Sequence, residues 1–167
     1  KDEVKSLLKD YLGAIDVEIV NEFDQHDTWG FWAKFGEFPI LIENPKDTRY
    51  IVVAFQITLS DPSAVKIMNE FYQKQDNQFI FELTRIFTSP HTGFTRIIEG
   101  GQVVGFTLMK NIYPYHPGFV IKDLDEALQS VVSIGDMAIA FLKTVIGTTT
   151  FDHTPPRPTT EPGPMFE

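Results

Sequence analysis

Four histidines, at positions 26, 91, 116 and 153, and no cysteine bound the side-chain chemistry open to this 167-residue chain. Without cysteine there is no disulfide, no thiolate metal site and no thiol nucleophile. No histidine stands four residues from another ligand in the spacing of a helical zinc site. His26 sits between Asp24 and Asp27, where oxygen and nitrogen ligands are available, but the run 24-DQHDT-28 has the composition of a solvated turn. His116 lies in 113-YPYHPGF-119, whose prolines stiffen a loop and whose Tyr113 and Tyr115 can pack beside the imidazole. Ser60, Ser63 and Ser133 lack a nucleophile-elbow sequence. Gly100-Gly101 lacks the lysine and the strand-to-helix setting of a phosphate loop. Glu70, Glu82, Glu99 and Asp136 are acids without a spacing that brings two together. No catalytic, metal or cofactor site is therefore expected. A carboxylate/histidine hydrolase or transferase site near residues 113–119 is the rival expectation.

The elements that position these residues follow from periodicity. Val4, Leu7, Leu8, Tyr11, Leu12 and Ile15 recur at helical spacing, with Lys5, Lys9 and Asp10 on the other side. From Val17 to Ser60 the period changes to two. Val17, Ile19 and Phe23 begin a strand. Trp29, Phe31, Ala33 and Phe35 then share one face, continued by Phe38, Ile40 and Ile42 beyond a Gly36-Glu37 turn. After 44-NPKDT-48 the run 49-RYIVVAFQITLS-60 puts Ile51, Val53, Phe55, Ile57 and Leu59 on one side. Asp61-Pro62 starts a helix that runs to about Phe87, with 76-DNQ-78 as a point of division and Pro90 and Gly93 as its end. A hairpin of 94–99 and 102–112 turns at Gly100-Gly101. Asp123, with Glu126 three residues on, is expected to cap a last helix that stops at Gly147. Its stretch 127–146 is about one membrane span long, but Asp136, Lys143, Gln129, Ser130 and Ser133 mark it as a buried helix.

The expected fold is α+β: an antiparallel sheet of about five strands with three helices in the order αβββαββα. It occupies residues 1–147 as one domain, followed by the Pro/Thr-rich tail 148–167, in which 155-PPRP-158 has the look of a polyproline ligand. The chain opens KDEVKSLLKDYL without an initiator methionine, which leads us to expect a trimmed chain, and that amphipathic start is not a signal peptide. A formal charge of −9 argues against nucleic-acid backbones and anionic membranes as partners. The lack of cysteine suits a reducing cytoplasm.

This element order resembles the type III secretion chaperone-like fold, including its YbjN-like members, and is similar to uncharacterised archaeal proteins of the same shape. The resemblance covers residues 1–147 and implies a small, commonly dimeric domain that binds protein segments without catalysing a reaction. It carries no binding residue over to this chain.

Strand alternation supplies a candidate surface of its own. If Trp29, Phe31 and Phe35 face the helices, Trp32 faces away, with Leu41 and the Tyr50, Val52, Ala54 set. So much apolar area on a second sheet face is not usually left in water. A homodimer, the tail or a protein partner is expected to cover it, with Trp32 as anchor. A purely structural homodimer is the remaining alternative.

Overall fold

The helix α1 (Asp2–Ala14) buries Val4, Leu8 and Leu12 on one stripe. Lys1, Lys5 and Lys9 form another stripe, one turn apart, that meets the acids of the first strand. Lys1 Nζ lies 2.7 Å from Asp24, Lys5 3.4 Å from Asp24, and Lys9 pairs with Glu22. The hydrogen bond from Lys1 holds the Asp24 carboxyl below its usual range. The lysine stems also put Lys5 Nζ 5.7 Å from the Trp29 ring and Lys9 Nζ 5.9 Å from Phe31. α1 is thus held over the sheet by an apolar stripe and a charged seam.

The chain continues as β1 (Glu18–Gln25), β2 (Thr28–Phe35), β3 (Phe38–Asn44), β4 (Ile51–Leu59), α2 (Pro62–Gln73), α3 (Asn77–Phe87), β5 (Thr92–Glu99), β6 (Gln102–Ile112), α4 (Ile121–Ile146) and β7 (Phe151–Asp152). This computed structural model describes residues 1–88, 92–147, 151–152 and 156–158. His91, Pro90, His153 and Pro155 lie outside the described residues. The sheet order is β1-β2-β3-β4-β6-β5, with every described pair antiparallel and β7 paired to β4.

The α+β class and the antiparallel sheet stand as expected, but the count differs. The run 17–60 holds four strands, not three, because Glu18–Gln25 is a full strand joined to β2 by a two-residue turn. His26 and Asp27 form that turn with φ of +51° and +66°, the backbone of a tight right-twisting hairpin. The helix expected to run to Phe87 is two helices. Gln75 takes φ +50° and Asp76 accepts a hydrogen bond from the Phe79 N–H, capping α3. Gly93, read as a helix end, lies inside β5.

Asp61 caps α2 as expected, accepting from the Ser63 N–H at 2.9 Å, with Pro62 at the first helical position. Asp123 does not cap α4 as expected. Val120 is the N-cap, and Asp123 stands three residues in, accepting from the Val120 N–H at 2.8 Å. Glu126 pairs with Lys122 instead.

The core lies between the sheet and the helices. Phe31, Ile40, Ile42, Ile51, Val53, Phe55 and Ile57 are fully buried on the helix side, met by Leu8, Met68, Phe87, Leu128, Val131 and Leu142. Several phenylalanines form ring chains: Phe71 stacks on Phe79 at 4.6 Å, and Phe87 touches both Phe94 and Phe106 at 4.8 Å. Fully burying such a side chain contributes about 1.5–3 kcal/mol. α4 is long and apolar enough to cross a bilayer, but its buried stripe from Leu124 to Leu142 packs on β4 and β6.

Candidate functional site

The second face of the sheet begins with a bulge. Ile19 pairs with Ala33 and faces the helices, but the register shifts at Val20, so that Asn21 pairs with Trp32 and Phe23 with Gly30. A regular strand would have kept Ile19 and Phe23 on one side; the extra residue turns Phe23 to the other. Its ring lies over Gly30, where a Cβ would stand 2.7 Å from Phe23 Cζ and 2.2 Å from the Ile42 carbonyl oxygen. Having crossed the glycine, the ring packs on Trp32 with centroids 4.6 Å apart.

The register then builds two rows across the sheet. Trp32 stands opposite Leu41, Leu41 opposite Ala54, and Ala54 opposite Met109. In the next row Gly30 stands opposite Glu43, Glu43 opposite Val52, and Val52 opposite Asn111. Leu41 and Ala54 are 2% and 5% exposed, too little for an open face. Trp32 and Val52 are half-buried. Glu43 is 1% exposed, so an acidic side chain is enclosed on this face.

Part of the cover comes from the tail. The β3–β4 ladder begins at Ile40–Phe55, so the last residues of β4 run past it. There β7 pairs with β4, Thr58 with Asp152 and Leu59 with Phe151. Further on, the Trp32 indole N–H donates to the Pro156 carbonyl at 3.3 Å. Pro156 and Pro158 are buried, while Arg157 between them is exposed.

Of the four residues expected on this surface, Trp32, Leu41 and Val52 come together. Tyr50 precedes β4, outside the ladder, in the loop that Asn44 organises. Phe23 was missed because a bulge is invisible to strict alternation. The tail was one of the covers expected here, but its meeting point, Trp32 with Pro156, joins residues 124 apart and has no spacing rule.

A second concave region lies at the far end of the same strands. A cleft of about 1070 Å³ opens between the end of β6, loop 113–119 and the first turns of α4. The loop is clamped on both sides. The Tyr115 hydroxyl donates to Asn44 Oδ1 at 2.5 Å, and Phe119 packs on Tyr11 at 5.9 Å. Asn44 Nδ2 in turn bonds the Pro45, Thr48 and Tyr50 carbonyls. His116 Nδ1 accepts from the Gly118 N–H at 3.0 Å, and Gly118 fits because a Cβ there would come 3.2 Å from that nitrogen. Only Nε2 of His116 remains for other work.

The other singled-out groups are dispersed. His26 is at the tip of the β1–β2 turn, beside Asp27, which faces Lys46 at 3.8 Å. Ser63 donates to Asp61, Glu82 pairs with Arg85, and Asp136 is on the exposed side of α4. Among the described residues no three His, Asp or Glu side chains gather as metal ligands.

No family model matches this sequence, and no curated protein does. A crystal structure of an uncharacterized protein from Methanothermobacter thermautotrophicus is similar in fold, with a TM-score of 0.71 at 12% sequence identity. The match covers 86% of this chain and 99% of that one, so the chain shares its α+β architecture with that archaeal protein.

Proposed function

We propose that this chain is a non-enzymatic, cytoplasmic interaction domain, chaperone-like in that its second sheet face holds an extended protein segment. The observation that carries the reading is the Trp32 indole donating to a main-chain carbonyl of a proline segment whose alternate residues are buried. A main-chain acceptor and two proline rings are features any extended proline-bearing segment can offer. Residues 156–158 of the tail are then a resident occupant of a general site. In a homodimer, the expected assembly, the tail of the second copy makes the same contact.

The observed order of elements departs from the αβββαββα order of the chaperone resemblance, so the reading rests on the sheet face itself. The rival hydrolase or transferase near loop 113–119 has the cleft in its favour. Against it, Asp123 and His116 Nδ1 are both engaged by local backbone N–H groups.

The test uses the two tryptophans, which give two indole N–H signals in a nitrogen–proton correlation spectrum. A chain ending at Asp152 keeps β7 and lacks the proline segment. Its Trp32 signal should move and exchange faster, while that of Trp29, 2% exposed, should not. A synthetic peptide of residues 153–167 should restore the signal. An identical Trp32 signal in both chains would sink the proposal. Light scattering on both chains tests the dimer: tail exchange requires the full chain to be the larger species.

A further inference from the structure

The cleft beside loop 113–119 brings two cations and two acids into one concave region. The chain carries a formal charge of −9, yet two cations, Arg49 and Lys110, line this concave region without a carboxylate partner among the described residues. Arg49 stands 6.0 Å over the Tyr115 ring, and Lys110 reaches only the Ser130 hydroxyl, at 3.4 Å. The two acids at the cleft are already compensated. Asp123 accepts the Val120 N–H in the first turn of α4, where backbone N–H groups favour negative charge, and Glu126 faces Lys122 at 3.4 Å.

Lys110 is half-buried and projects to the helix side of β6. Withdrawing an ammonium group partly from water without a counter-charge is unfavourable, and a bound anion would offset it. Apart from Asn111 and His116, the remaining lining is apolar and aromatic. Ile112 is buried, Phe119 is half-buried, and Tyr113 is 58% exposed, an unusual position for so large a ring. The volume suits a small organic molecule rather than a bare ion. The loop is also pre-formed, through Tyr115–Asn44 on one side and Phe119–Tyr11 on the other.

We propose that this cleft binds a small organic anion, a carboxylate or phosphate on an aromatic or flat apolar body, with Lys110 and Arg49 taking the head group and Tyr113 and Phe119 the body. The site is independent of the tail on the second sheet face. Its acids are held in a helix cap and an ion pair, so its role is binding.

Three naphthyl probes, titrated into the full chain by calorimetry, test this: 2-naphthoate, 2-naphthyl phosphate and the uncharged 2-naphthylmethanol. At least one anion should saturate at one per chain, and the alcohol should bind at least about tenfold more weakly. Whichever anion binds tighter identifies the head group as carboxylate or phosphate. Lys110→Gln and Arg49→Gln should each weaken the anion by about five- to tenfold, leaving the thermal midpoint and both indole signals unchanged. Three results would overturn the proposal: the alcohol binding as tightly as the anions, both variants binding the anion like the parent, or no saturable binding below about 10 mM.

Discussion

Asn69 is the buried polar side chain whose loss the geometry prices most directly. It is 8% exposed, on α2, facing β6. The β4–β6 ladder ends at Thr58–Gly105, so Val103 has no partner in β4. Asn69 takes that place: Oδ1 accepts from the Val103 N–H at 2.9 Å, and Nδ2 donates to the Val103 carbonyl at 2.9 Å and the Val65 carbonyl at 2.7 Å. Asn69→Leu leaves a buried N–H and a buried carbonyl without partners, each worth about 1–3 kcal/mol. The added apolar contact returns about 1 kcal/mol, so the expected loss is about 3 kcal/mol. With a urea slope of about 2 kcal/mol/M, the unfolding midpoint should fall by about 1.5 M. Asn69→Asp keeps the acceptor but sets a carboxylate against two carbonyls. It should be worse than leucine at neutral pH. Burial and carbonyl repulsion raise that carboxyl's folded pKa above its unfolded value, so the variant regains stability as pH falls and loses it as pH rises through the folded pKa. A leucine variant within about 1 kcal/mol of the parent would refute the clamp. An aspartate variant less harmful than leucine at neutral pH would do the same.

Two other perturbations probe the frame. Gly135→Ala gains about 1 kcal/mol of helix propensity, but its Cβ would stand 2.3 Å from Phe55 Cε1, on a fully buried ring that Phe38 holds edge-on at 5.3 Å. The net result should be a loss of about 1–3 kcal/mol, read as a lower thermal midpoint; a higher one would mean that the ring yields. The Asp61 carboxyl is held below the usual range, first by the Ser63 N–H and then by its hydroxyl. Its stabilisation is complete above the unfolded value of about 4 and is lost as pH falls through the folded one. Asp61→Ala should therefore lower the thermal midpoint at pH 7, by a margin that closes in acid, and a constant margin would remove the carboxylate from the account.

What the sequence disclosed and what it hid divide along the range of the interactions involved. Alternation in 29–35, 38–44 and 51–59 places Phe31, Ile42 and Val53 on the helix side and Trp32 and Leu41 on the other, because strand geometry is local. Asp61-Pro62 and Gly100-Gly101 mark a helix start and a turn for the same reason. Glu18–Gln25 is less legible, since its apolar residues change face at Val20 and the bulge depends on the β2 partner. Asp123 misleads because a carboxylate three residues inside a helix can serve the same end as one at the cap. The contacts that make candidate sites are further beyond reach. Trp32–Pro156 spans 124 residues and Tyr115–Asn44 spans 71, and neither has a spacing rule. The cleft draws Arg49, Lys110 and Asp123 from three segments whose convergence follows from the sheet order β4-β6-β5 and the path of α4.

The strength of the tail contact decides whether the second sheet face is available at all. Among the described residues the tail contributes one 3.3 Å hydrogen bond, two buried prolines and a two-residue strand. An intrinsic Kd of about 1 mM, or about 4 kcal/mol, is a reasonable scale. Tethering supplies the tail at about 1–10 mM. A segment arriving from another chain would then bind the full chain only about two- to tenfold more weakly than the chain ending at Asp152. Among the described residues β7 pairs with Thr58 and Leu59, beyond the end of the β3 ladder at Ile40–Phe55. The tail in this account is a latch that a longer strand displaces. Titrating one fluorescent proline-bearing peptide into both chains measures the ratio directly. A ratio above about a hundredfold would mean that the tail belongs to the closed fold of the domain, and that the Trp32 face is not a site for other proteins.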